Sequence, residues 1–269
     1  MLVHGKLTKP IAVLLLTLVA LSAIAARCIE NTSVRKDASG RTHIYGEFYN
    51  DTDVQGVQMI LSGKLFDAQG NVIAEAQGAT CPPDSQPHSQ TMFDIAFPEE
   101  VAQAHASFEV RPIAGRALDA PLPDPGIVLS AEAFRYTAAN SDAPYLVAVA
   151  LGFLNRSQAI PTNTFWIVCM ALYDQAGKVV GGNTGPICWA DNDVIPPPGG
   201  RGSCGWYMPD PPPEAVGLRA WVWFPAPGSP PIRPVPGGPV RFEVVPGATS
   251  AYQFFMSDQI TIQDVLLPP

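Results

Sequence analysis

The sequence predicts an all-β chain: two tandem antiparallel β-sandwiches behind an N-terminal signal segment. Three observations predict it. Gly63-Lys64-Leu65-Phe66-Asp67-Ala68-Gln69-Gly70-Asn71-Val72-Ile73 reads as a strand, a glycine-closed turn and a second strand, and Met170-Ala171-Leu172-Tyr173-Asp174-Gln175-Ala176-Gly177-Lys178-Val179-Val180 repeats it at an offset of 174 − 67 = 107. Short runs with a period of two, bounded by turn residues, recur on both sides of each copy. Proline supplies 29 of 269 residues, about twice the usual share of roughly 5%, which opposes long helices and favours turns.

The chain opens with a targeting signal. Lys6 and Lys9 form a basic region ahead of an uncharged, mostly apolar run from Ile11 to Ala26, and Ala23-Ile24-Ala25 places small residues where signal peptidase reads. Residues 1–26 are therefore read as a signal peptide. The apolar run has 16 residues, short of the roughly 20 that span a bilayer; an uncleaved anchor is the rival reading. Cys28 follows Arg27, a poor fit to a lipidation box. Removing Lys6 and Lys9 takes the formal charge from −8 to 14 − 24 = −10. An acidic chain without a Lys/Arg cluster is a poor partner for nucleic acid. The mature protein is expected outside the cytoplasm, with membrane contact only through an uncleaved N-terminus.

Copy one is assigned to residues 27–112. A strand over 28–35 meets turn residues at Lys36–Gly40. Ile44, Gly46 and Phe48 then alternate with Tyr45, Glu47 and Tyr49. Val57, Met59, Leu61 and Leu65 form one face of the next strand. After Asp67–Gly70 come a strand towards Cys81, a short one at Phe93–Phe97, and a last one at Ser107–Pro112. Residues 113–127 read as a linker. Copy two, 128–225, follows in the same order. Asn155 matches Asn50 at an offset of 105; Trp166, Val168 and Leu172 match Met59, Leu61 and Leu65 at 107. Gly205–Pro209 matches Asp94–Pro98 at 111, and Ala220–Pro225 matches Ser107–Pro112 at 113. Ordered matches of this kind indicate a duplication. Residues 226–269 form a Pro/Gly-rich linker and a tail with strand-like runs around Phe242 and Phe254.

The segments Gly46-Glu47-Phe48-Tyr49-Asn50, Leu65-Phe66-Asp67-Ala68-Gln69-Gly70 and Leu172-Tyr173-Asp174 resemble the FxLYD family of extracytoplasmic β-sandwich domains. Copy two keeps Leu172-Tyr173-Asp174 with Met170 in the Phe position. Copy one departs from the signature at Gly63 and Phe66. The resemblance implies an Ig-like module on a prokaryotic surface or in a secreted protein, and it implies no catalytic residues.

The side chains offer little chemistry. In an exported chain cysteines tend to pair. Cys188 ends one strand and Cys204 begins the next, so a bridge between them is expected, closing a loop of 15 intervening residues and stabilising by about 3 kcal/mol. Cys28–Cys81 is the second expected bridge, which leaves Cys169 as a buried thiol. No Cys-x-x-Cys spacing and no Gly-x-Ser-x-Gly elbow occur, and Asp191 with Asp193 reads as a solvated loop. No cofactor and no metal site are expected. Asn50 and Asn155, although in sequons, read as turn formers. Trp221 and Trp223 align with inward positions of copy one and read as core, whereas Trp189 and Trp206 are freer and are the candidate ligand aromatics for a glycan.

The outward faces of the two copies differ. At the central strand, Gln58, Ile60, Ser62 and Lys64 of copy one become Phe165, Ile167, Cys169 and Ala171. At the last strand, Ser107, Glu109 and Arg111 become Ala220, Val222 and Phe224. His43, Tyr45 and Glu47 become Ala148, Ala150 and Gly152. So apolar a face needs a cover. Phe165, Ile167, Val222 and Phe224 are therefore the candidate interface. The tail after Pro239 is the first-choice cover, followed by copy one, a homodimer mate or another envelope protein. The function expected is a non-catalytic binding or structural module of the envelope or exterior; a glycan-binding protein and an unrecognised hydrolase are the alternatives.

Overall fold

The structure, a computed structural model, describes residues 28–37, 39–98, 105–138, 144–154, 166–185, 199–230, 233–234 and 242–268. The signal segment, Asn155, Phe165, Cys188, Trp189, Asp191 and Asp193 lie outside them. The described residues are all-β, with no helix. The strands are β1 (Ile29–Lys36), β2 (Thr42–Asn50), β3 (Gly56–Phe66), β4 (Val72–Cys81), β5 (Ser89–Ala96) and β6 (Ser107–Ala117) in the first half. The second half holds β7 (Ile127–Ala138), β8 (Tyr145–Leu154), β9 (Ile167–Tyr173), β10 (Val179–Gly185), β11 (Arg201–Pro209) and β12 (Gly217–Trp223). The tail adds β13 (Arg233–Pro234), β14 (Phe242–Glu243), β15 (Phe255–Met256), β16 (Ile260–Thr261) and β17 (Gln263–Leu267). Residues 113–117, expected within the linker, continue β6.

One six-stranded sheet runs β1-β2-β5-β4-β3-β6 and curls upon itself, held at its bend by the β4–β5 pairs Thr80↔Phe93 and Cys81↔Met92. The second half forms a sheet β13-β14-β10-β9-β12-β15 and a sheet β11-β8-β7-β17. All pairings are antiparallel except β17 on β7. In each half the first strand pairs the second, the second pairs the fifth, and the third lies between the fourth and the sixth.

Three cores separate four layers. Ile44, Phe48, Leu61, Leu65, Phe93 and Ile95 fill the first half. Leu146, Ala148, Val168, Met170, Trp206 and Phe224 fill the second. A third core joins the halves: Tyr45, Cys81 and Met92 from the first meet Ile167, Cys169, Ala171, Tyr173, Trp221 and Trp223 from the second, with Val244, Ala248 and Phe254 from the tail. The cover expected over the second half therefore comes from both the first half and the tail. The tail also adds strands, β14 beside β10 and β15 with β16 beside β12.

Two strands of the second half face the opposite way from the alignment. On β12 the register pairs Leu172 with Leu218, as Leu65 pairs with Phe108, so the offset there is 218 − 108 = 110 rather than 113. An odd difference exchanges the faces of a strand. Ala220, Val222 and Phe224 thus lie in the second core, and Trp221 and Trp223, read as core of their own copy, cross to the seam. On β8, Ala148 and Ala150 are likewise core, and Gly152 turns inward to make room for the Trp166 ring.

The twin turns share one design. Asp67 Oδ1 accepts the N–H groups of Gln69 and Asn71, at 2.9 and 2.8 Å. Asp174 Oδ1 accepts those of Ala176 and Lys178, at 2.9 and 2.8 Å. Gly70 and Gly177 close the turns at φ +83° and +78°. A Cβ at either site meets nothing within 4 Å, so the backbone conformation, not space, demands glycine. Gly70→Ala and Gly177→Ala should each cost about 1–2 kcal/mol. Thermal unfolding reads it; an unchanged Tm in both variants would refute the account.

Candidate functional site

The densest set of buried polar side chains lies in the seam between the halves. Its residues come from β2 and β5 on one side and β9 and β12 on the other. Alternation on β2 sends Ile44 and Phe48 into the first core and His43, Tyr45 and Glu47 towards the second half. Copy one was read as having a solvated outer face here. The structure buries it: these three residues are 1%, 2% and 1% exposed.

Burial of a carboxylate requires compensation. Glu47 has it. Its Oε1 accepts the Tyr173 hydroxyl at 2.5 Å and the Arg219 guanidinium at 3.2 Å, and its Oε2 accepts Asn31 Nδ2 at 2.5 Å. Arg219 also donates to Gln90 Oε1 at 2.8 Å and lies 5.8 Å from the Tyr173 ring centroid. Desolvation, then the neighbouring Glu47 charge, pushes the Tyr173 phenol far up, so it stays a donor at any ordinary pH. Trp221 Nε1 donates to the Gln90 carbonyl at 2.8 Å. Arg35 and Glu214 form a further ion pair between the halves.

His43 sits nearby, stacked on Tyr45 at 5.2 Å. Its Nδ1 is 2.6 Å from Asp94 and its Nε2 3.3 Å from Asp37. A carboxylate oxygen thus lies beside each ring nitrogen.

The tail is latched to the first half. Ser250 N–H donates to Asp84 Oδ2 at 2.7 Å, Gln58 Nε2 to the Gly247 carbonyl at 3.2 Å, and Gln86 Nε2 to the Phe254 carbonyl at 2.8 Å. Asp84 is fully buried, and that burial outweighs its hydrogen bonds, raising its carboxyl from 3.8 to about 6.

Cysteine chemistry differs from expectation. Cys81 is bridged to Cys169, with Cα atoms 5.8 Å apart and a sequence separation of 88. The expected Cys28–Cys81 bridge is thus overturned, and Cys169 is half of a disulfide rather than a thiol. The reason is tertiary: the end of β4 faces the second half, where β9 passes over it. Cys28 keeps a thiol, which contacts Asp51 at 3.9 Å and is pushed up first by burial, then by that carboxylate. Cys204 is disulfide-bonded, and Cys188 lies outside the described residues.

Trp206 is 9% exposed and belongs to the second core; Trp189 lies outside the described residues. Tyr136 and Tyr145 are partly exposed and stack on each other at 5.3 Å, their planes 24° apart. Of the candidate interface, Ile167, Val222 and Phe224 are at most 2% exposed. Ile167 lies in the seam, and Val222 and Phe224 lie in the second core. Residues missed from sequence are Glu47, Tyr173, Arg219, Gln90 and Asp84; the hydrogen bonds joining Glu47 to Tyr173, Gln90 to Arg219 and Asp84 to Ser250 span 126, 129 and 166 positions. Among the described residues no group of three His, Cys, Asp or Glu is placed to hold a metal.

An open apolar cleft of about 430 Å3 lies at one end of the first sandwich, walled by Phe48, Met59 and Ile113, with Asp51 and Arg116 also in its lining. A second crevice, of about 580 Å3, lies between the halves beside Arg35, Tyr45, Met208 and Glu214. No family model matches the chain, and no curated protein matches it.

Two outcomes follow from this geometry. Tyr173→Phe removes a donor from a buried carboxylate and should cost about 2 kcal/mol in chemical denaturation; a cost below a few tenths would show that Glu47 does not need it. For Asp84 the native carboxyl binds its proton more tightly than the unfolded chain does, so its contribution to stability is full below about pH 4 and is lost as pH rises through about 6. The full difference corresponds to about 3 kcal/mol. Asp84→Asn should flatten the unfolding free energy between pH 4 and 6, and an unaltered pH profile would contradict the assignment.

Proposed function

We propose that this chain is a non-catalytic binding or structural module, exported to the envelope or exterior. In this reading it is two tandem Ig-like β-sandwiches of FxLYD type after a cleaved signal segment. The observation that carries the reading is the fate of its polar side chains. Glu47, Tyr173, Arg219 and Asp84, which could otherwise do chemistry, are engaged in joining layers and tail. The tandem reading draws on the same pairing order in both halves and on the twin Asp-Gly turns. Export draws on the apolar run at Ile11–Ala26 and on the buried Cys81–Cys169 bridge, since structural disulfides persist in oxidising compartments. The glycan reading loses its main described residue with Trp206 in the core.

The test is expression of the whole chain in a bacterial host, followed by fractionation and intact mass. The expected product lies outside the cytoplasm, is shortened near Ala25, and keeps Cys81 joined to Cys169. Full-length product in the cytoplasm with both thiols reduced would overturn the proposal. The bridge itself closes a loop of 88 positions, worth about 4–5 kcal/mol in the chain-entropy picture. Cys81→Ser with Cys169→Ser should lower the denaturation midpoint accordingly; no loss would show the seam to be self-sufficient.

A further inference from the structure

We infer that the outward face of the β11-β8-β7-β17 sheet docks a second copy of this chain, an inference that rests on the module reading in taking the protein to act through surfaces. The register sets the face. Phe134, Tyr136, Tyr145, Val147, Val149 and Phe153 share one side of β7 and β8, while the alternate residues Ala133, Leu146, Ala148 and Ala150 fill the second core. Tyr207 on β11 joins the same side, paired with Val147 and 55% exposed; Val128, paired with Phe153, is 59% exposed. The sheet at the opposite end of the molecule is built differently. There Lys64 pairs in register with Glu75 and Glu109, and Ser62 with Gln77 and Arg111, the charged mixture that water favours. A row of aromatics and valines in place of such charges marks an interaction surface.

Charge selects the occupant. The chain is acidic, at −8, yet among the described residues the strands present one residue of each sign on this face. Glu132 stands opposite Val149 on β7, and Arg201 stands opposite Phe153 on β11, its guanidinium 4.5 Å over the Phe153 ring. Both are exposed, and neither makes an ion pair among the described residues. One positive and one negative group on a single face are self-complementary. A two-fold axis lying in the interface, along the perpendicular bisector of the line joining them, brings each Glu132 onto Arg201 of the second copy, twice over. An anionic lipid surface has no cationic cluster here to attract it, and a glycan finds the faces of Tyr136 and Tyr145 turned to each other.

Sedimentation velocity on the exported, signal-free chain tests this. The expected species is a dimer that dissociates on dilution. Tyr207→Lys, at a position more than half exposed, should give a folded monomer with the wild-type circular dichroism spectrum. Glu132→Arg and Arg201→Glu should each weaken dimerisation by about tenfold or more, and the double reversal should restore it. A wild-type monomer at every concentration overturns the inference. So does a Tyr207→Lys dimer as tight as wild type, or a double reversal no better than the singles. A monomer would leave the exported-module proposal standing, because that is read separately by location and mass.

Discussion

The structure depends on the burial of its two middle layers from both sides. β9 is buried at every position, and β2 at all but one. A sheet in that position must either be apolar on both faces or pair its polar groups internally, because water lies on neither side. Ile-Val-Cys-Met-Ala-Leu-Tyr along β9 meets the demand with apolar residues on both faces. Gly182, on neighbouring β10, has no side chain where Met92 of the first half presses in, so the layers approach closely there.

β2 solves the same problem differently. Its seam side carries His43, Tyr45 and Glu47, residues ordinarily found in water. The Glu47 carboxylate brought into the seam is met by donors from Asn31, Tyr173 and Arg219, while His43 lies between Asp94 and Asp37 of its own half. Such a network adds little net stability over a well-packed apolar seam. It does fix the register in which the halves meet, since a slip by one residue leaves charges without partners. The Cys81–Cys169 bridge fastens the same seam covalently, and the tail closes its border through Asp84, Gln58 and Gln86. Three kinds of bond converge on one surface.

Much of this architecture was legible in the chain. The period of two and the turn residues determined an all-β fold, because a pleated strand leaves no other way to sort apolar from polar side chains. The Asp-x-x-Gly turns were determined by local chemistry alone: one carboxylate accepting two nearby N–H groups, and one residue at positive φ. The excess of apolar residues around Ile167 and Val222 also announced that something must cover the second half. What only the tertiary structure decided was which residues face which layer. Faces on β8 and β12 hinge on an odd or even count through loops, and loop lengths carry no signal of parity, so Val222 and Trp223 exchanged roles. Cysteine pairing was decided in the same way, since Cys81 and Cys169 are distant in sequence and meet only because the end of one sheet packs beneath the next. Polar residues were the least legible. A glutamate reads as a surface group until a tyrosine 126 positions away donates to it, and long-range packing alone creates that hydrogen bond.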